Sequence, residues 1–386
     1  MGVRSDRHSE EAICRAWEAG LVASPVIRAV DGRRFVVLFP GRRHRGAGPD
    51  FRDARFSAET GEILTGDLEV HRHAGEWFAH GHDADPAYRS VRFHLVGRTG
   101  NPAPDLTGRV ITFAFEPGTV PLPGWGEPCR GAARRIAPEG LRAILRAAGE
   151  ARFAGKVTRA RVLIVLFGRE EALCRLVVRA FGYGLPAPGF GLLGLRVSWA
   201  RLRADLAGLP GGERVDRIRR VLAEELGGPE GRAGAVRPAN RAGVRLGQLA
   251  SLLGRAVEPG LWGLFEGLTG RPDFVRAAVV ALRAGAPGLG AERARVIVVN
   301  ALLPAFGAWA GLTGDDASAE RIRAAWDSAP GLGSNFVSRY LLGRVWGLTG
   351  PVSAAEHQGC IHLYENLCRP GRCGECPVFE SLRRIL

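Results

Sequence analysis

Residues 48–94 read GPDFRDARFSAETGEILTGDLEVHRHAGEWFAHGHDADPAYRSVRFH, and this run decides how the N-terminal part of the chain folds. Asp50 stands at the mouth of a strand near Ala54–Ser57. A turn follows at Glu59–Glu62, and a longer strand runs from Ile63 to His71. Alternate residues of a strand share a face, so Asp67, Glu69 and His71 should project together. Asp85-Pro86 opens a short helix through Ser90, and another strand covers Val91–Val96. Five of the nine histidines lie in this stretch (His71, His73, His80, His82 and His94), with His44 just upstream. Asp50, Asp53, Asp67, Glu69, Asp83 and Asp85 accompany them. A carboxylate inside an apolar strand is costly to bury without a partner, which singles out Glu69. The density of carboxylates and imidazoles points to a metal-dependent reaction centre.

Outward from this run, Ser9 followed by EEAICRAWEAG reads as a capped amphipathic helix ending at Gly20. VIRAV-DG-RRFVVLF is a hairpin of two β-branched runs around Asp-Gly, and RVITFAFEP closes the region as a strand. Helix, strands, short helix and strand make a mixed α/β domain over residues 1–118. Residues 119–138 are rich in Pro and Gly and read as a linker. From 139 to 386 the periodicity becomes that of about ten short helices. The fold class expected is α+β, with an all-α C-terminal domain behind a mixed N-terminal one.

A chain of 386 residues is long enough for two cores. The formal net charge of +14 favours a polyanionic partner such as nucleic acid. Of the 53 basic residues only Lys156 is lysine, and the excess is spread along the whole chain. The first residues carry no apolar run, so no signal peptide is expected. Val296–Leu312 is apolar but broken by Asn300 and Pro304, which suits a buried helix better than a membrane span. A cytoplasmic protein with no membrane contact is the expectation. Four of the seven cysteines, Cys360, Cys368, Cys373 and Cys376, crowd near the C-terminus. Thiols that close suggest a metal site, with zinc first and an iron–sulfur cluster as the alternative. Cys14 or His362 could substitute for Cys360 as the fourth ligand.

Two carboxylates that share a divalent ion, with a polar group beside the attacking water, meet the needs of phosphodiester hydrolysis. Asp50 and Glu69 are the candidate ligands for Mg²⁺ or Mn²⁺, and His71 is the candidate for the water. His80 and His82, with Arg45, are expected at the rim as substrate-binding groups. Trp77 and Tyr88 are expected in the core.

At these residues the chain resembles the PD-(D/E)XK nuclease superfamily, whose core runs α-β-β-β-α-β with Asp opening one strand and Glu-x-Lys on the next. Pro49-Asp50 and Glu69-x-His71 match, with His71 in place of lysine. The resemblance implies an auxiliary acid on the first helix, Glu10 or Glu11, with Glu11 preferred. It also implies metal-dependent cleavage of nucleic acid. The alternatives are a non-catalytic nucleic-acid-binding protein on a degenerate nuclease fold, or a small-molecule metallohydrolase.

A resemblance of wider extent rests on GPDF, GDLEVH, W-x-x-HGH-x-x-D-x-AY, V-x-FHLV, RPANRAGVRLGQLA and QG-x-IHLY with its cysteines. In their order and spacing these are similar to the uncharacterised bacterial domain-of-unknown-function 2851 family, which implies no established activity. That family often has Asn ahead of GPDF, where this chain has His44. Its AGYG-type helix end also differs here, reading Gly182-Tyr183-Gly184-Leu185-Pro186.

Overall fold

The computed structural model describes residues 9–98, 108–122, 125–183, 189–226 and 242–385. Residues 184–186 and 237–241, part of two of the motifs above, lie outside that set. Ser9 caps helix α1 (Glu10–Ala19) by accepting from the Ala12 N–H, and Gly20 closes it with a φ of 76°. The apolar stripe of α1 buries Ile13, Cys14 and Trp17 against the sheet.

The sheet has seven strands: β1 (Val26–Arg28), β2 (Arg34–Phe39), β3 (Arg42–Arg43), β4 (Phe51–Ala58), β5 (Ile63–His73), β6 (Val91–Arg98) and β7 (Ile111–Ala114). Its order is β1-β2-β4-β5-β6-β7, with β3 paired to β4. Pairing is antiparallel as far as β5, then parallel from β5 to β6 and from β6 to β7. The Asp-Gly hairpin forms as expected, with Arg28 opposite Arg34. Helix α2 (Glu76–Ala79) and a 3-10 turn at Pro86–Tyr88, capped by Asp85, fill the connection between β5 and β6. Phe35, Phe56, Phe93 and Phe113 build the core on one face, and Phe56 meets Phe93 at 4.2 Å between ring centroids.

Beyond residue 138 the chain is helical. Helix α3 (Pro138–Phe181) is two helices that meet at a kink at Gly168, whose φ of 80° and ψ of 161° are not helical. The helix Ala354–Leu363 crosses α3 at very close range. A Cβ added at Gly359 would lie 1.8 Å from the Leu145 carbonyl oxygen, so only glycine fits at this crossing. The apolar stretch falls within a continuous helical run, Ala291–Thr313. Among the described residues it is the one helix long and apolar enough to cross a membrane, yet 67% of its most apolar window is buried in the protein. A π-turn at Val298–Leu302 relieves the backbone ahead of Pro304, and Asn300 Nδ2 donates to the Val296 carbonyl at 2.8 Å.

The segment expected as a linker is packed on both sides. Trp125 stands edge-on to Trp17 at 5.1 Å and donates to its carbonyl at 2.8 Å. Cys129, Ala132 and Ile136 enter an apolar cluster with the C-terminal helices. A second tie runs through Asp53, the one described non-glycine residue with positive φ, at 57°. It sits at a register shift between Phe51 and Ala54 of β4. Its carboxylate accepts from Arg42 at 3.0 Å, from the Tyr364 hydroxyl at 3.0 Å and from Arg369 at 3.1 Å.

Asp53→Ala leaves the buried Arg42 guanidinium without its carboxylate and releases Tyr364 and Arg369. Breaking a buried pair from one side costs about 3–5 kcal/mol, and urea denaturation of the two proteins should show a loss of that order. Asp53→Asn tolerates the left-handed backbone and still accepts from Tyr364, so its loss should be smaller. Equal midpoints for wild type and Asp53→Ala would remove this tie from the account.

Candidate metal centre

β5 supplies the first two groups. Its alternate residues turn to opposite faces, so Leu68 and Val70 join the apolar core while Asp67, Glu69 and His71 project from the other side. Glu69 is 5% exposed and His71 0%, so neither can rely on water. The parallel register sets His94 of β6 beside Glu69, and its Nε2 lies 2.8 Å from His71 Nδ1.

The α2 loop delivers two more imidazoles. Glu76 reaches back to accept from the Arg72 and His73 backbone N–H groups at 2.9 and 3.3 Å, which ties the loop to the end of β5. His80 ends α2, and Gly81 takes a φ of 71°. That left-handed turn reverses the chain between His80 and His82. His71 Nε2 then lies 3.2 Å from His80 Nδ1. Glu69 Oε1 lies 3.3 Å from His82 Nε2 and 3.8 Å from His71 Nε2. The buried Trp77 packs edge-on against His71 and His82, and Tyr88 stacks on His82 at 3.7 Å.

The ligand atoms of His71, His80 and His82 all lie within 4.8 Å of one another. A tetrahedral ion with bonds of ~2.0–2.1 Å holds its donors about 3.3 Å apart, so the spacings here fit one ion. Three imidazoles and one carboxylate suit zinc or ferrous iron, whereas Mg²⁺ and Mn²⁺ favour oxygen donors. The Mg²⁺ or Mn²⁺ expected from two carboxylates therefore matches this donor set poorly. His94 would hold the His71 ring in orientation by accepting from its Nδ1–H, which leaves Nε2 free as a ligand.

Asp50 borders this group. Its backbone N–H donates to Glu69 Oε2 at 3.0 Å. Its carboxylate accepts from the Val70 N–H at 3.1 Å and from Arg43. Both of its oxygens thus accept a hydrogen bond, one from the Val70 backbone and one from Arg43. Arg43 also donates to Glu11 at 2.8 Å, so Glu11 faces the arginine instead of the imidazoles. Glu10 is the helix acid in electrostatic reach of the centre: burial, then the Asp50 charge, raises its pKa, and His80 opposes. Arg45 is an exposed rim residue 3.7 Å from Glu11. His80 is likewise exposed, whereas His82 is buried, so only the first sits at the expected rim. His94 and Arg43 were not among the expected site residues. The signal for His94 was its place on the strand next to Glu69, which is visible only once the register is known.

Charge follows burial. Desolvation, then the charges of His94, His82 and His80, push His71 down to about 3. Burial pushes His94 down to about 4. Burial pushes Glu69 up to about 7, against a hydrogen bond from His82. At neutral pH His71 and His94 are uncharged, the form in which an imidazole binds a metal.

Residues 10–112 match the model of a family described as a protein of unknown function, DUF2851. That match supports the wider resemblance over the sheet region and covers every residue of the centre. No curated protein and no solved structure matches the chain. The family therefore brings no activity with it, and the chemistry has to be argued from the residues.

The C-terminal cysteines divide. Cys368, Cys373 and Cys376 line one cavity. Cys360 does not join them. It is fully buried on the helix Ala354–Leu363, and its sulfur points to the Val337 carbonyl at 3.8 Å. The eight-residue step to Cys368 ends in a π-helical turn at Tyr364–Cys368. Cys14 lies in the sheet core, and neither it nor His362 lines that cavity.

The metal-free protein should lose stability as the pH falls from 6.5 to about 4. His71, His94 and His357 all have depressed pKa values, with His357 also at about 4, so across that window the unfolded chain takes up protons that the folded one refuses. Glu69 acts in the opposite sense, its contribution being lost as the pH rises from 4.5 to about 7. Glu10, also raised, acts with Glu69, and three imidazoles outweigh these two carboxylates. Urea midpoints at pH 7.5 and 5 check the sign, and a midpoint that rises on acidification contradicts it.

Proposed function

We propose that the chain is a metal-dependent hydrolase of phosphodiester bonds in nucleic acid, with the ion held by Glu69, His71, His80 and His82. The observation that carries this reading is the convergence of Glu69 Oε1 on two imidazole nitrogens, at 3.3 and 3.8 Å, beside a third. A bound zinc-like ion would acidify its water and offset charge on a phosphate. With the short strands β1 and β3 set aside, α1, β2, β4, β5, α2 and β6 follow the implied order, with Asp50 just ahead of β4 and Glu69 on β5, which supports the nuclease resemblance. His71 stands at the lysine position and is a metal donor there, so the lysine's fixed charge has no counterpart.

Other residues take supporting parts. Glu10, half-buried and raised in pKa, is placed to hold a proton near the mouth of the centre. Arg43 offsets the charge of Asp50, while Arg45 and the exposed His80 face the side from which a phosphate would arrive. The net charge of +14 gives a polyanion a favourable field.

Purified protein loaded with Zn²⁺, Mn²⁺ or Mg²⁺ is expected to nick supercoiled DNA or cleave labelled RNA, best with Zn²⁺. Glu69→Gln and His82→Ala should each lower the rate by at least a hundredfold while the circular dichroism spectrum is kept. Cleavage that survives both substitutions overturns the reading. Nucleic-acid binding without cleavage under all three ions also overturns it, in favour of a binding protein on the same fold.

A further inference from the structure

Four thiols meet where the linker passes the C-terminal turn. Cys129, Cys368, Cys373 and Cys376 line one cavity together with Leu367 and Phe379. The lining carries sulfur and carbon side chains and no side-chain oxygen or nitrogen, which selects a thiophilic occupant over a phosphate or a hard cation. Trp346 Nε1 donates to Cys129 Sγ at 3.3 Å, as groups around metal-bound thiolates do. Two guanidinium groups stand close: Arg42 donates to the Cys368 carbonyl, and Arg55 presses on the backbone of Gly371.

A zinc ion and an iron–sulfur cluster can each be held by four thiolates, and the sequence spacing favours the cluster. The C-x4-C-x2-C spacing of Cys368, Cys373 and Cys376, followed by Pro377, is compatible with one.

We propose that Cys129, Cys368, Cys373 and Cys376 ligate an iron–sulfur cluster that clasps the linker to the C-terminal turn, with Cys129 the fourth ligand. The arginines then offset the negative charge of a four-thiolate cluster. The assignment is independent of the hydrolase reading, since the two centres share no residue.

The full chain, purified without oxygen and reconstituted with ferrous iron and sulfide, is expected to be brown, with broad visible absorption and equal iron and acid-labile sulfide. Cys129→Ser and the half-exposed Cys373→Ser should each lose that absorption. Cys360→Ala and Cys14→Ala should retain it, and circular dichroism checks that each variant folds. Colourless protein with one zinc per chain overturns the cluster. Absorption kept by Cys129→Ser, or lost in Cys360→Ala with the fold intact, overturns the ligand set.

Discussion

Asp53 holds a backbone conformation that its side chain has to justify. A φ of 57° is uncommon for a residue with a Cβ, and aspartate is among the side chains that tolerate it best. The bulge it creates shifts the register of β4 against β5 between Phe51 and Ala54. At the start of that strand Asp50 meets the N–H of Val70 and donates its own N–H to Glu69. The Asp53 carboxylate meanwhile gathers Arg42 from the sheet with Tyr364 and Arg369 from the helical half. Its own N–H donates to Asp67, which Ser90 also reaches at 2.6 Å. One strained residue thereby links the wall of the imidazole centre to the turn that carries Cys368.

Electrostatic pairing explains why so many charges can be buried at the head of β5. Glu69 faces imidazoles on one oxygen and a backbone N–H on the other, so its burial is compensated. Asp50 is neutralised by Arg43, itself shared with Glu11. Burial, with the charges of His94, His82 and His80, lowers the affinity of His71 for a proton. Imidazole nitrogens that converge beside a carboxylate are a donor set that could hold a metal ion. Such a set would differ from two carboxylates around a hard ion, even though the strand positions are the same.

Several of these features could be read from the residues alone. The period of two in GDLEVH placed Asp67, Glu69 and His71 on one face, because a pleated strand leaves no other choice. The Asp-Gly hairpin, the Ser9 cap and Gly20 stop follow from local backbone chemistry and appear where expected. The change from strand to helix periodicity beyond residue 138 is likewise a local property, and an α+β architecture follows from it.

Tertiary structure decided what the local pattern could not. The loop with His80 and His82 bears no periodicity, and only its closure on Glu76 and the turn at Gly81 bring those rings to Glu69. Asp50 and Glu11 had suitable chemistry, yet Arg43 claims both, a competition invisible without contacts. Cys360 was closest in sequence to the other thiols and lies apart from them, while Cys129, some 240 residues before them, lines their cavity. The sequence by itself determined which residues share a strand face or a helix turn, because backbone geometry acts over a few residues. Which distant thiol or arginine completes a site depends on packing between segments, and only the folded chain decides that.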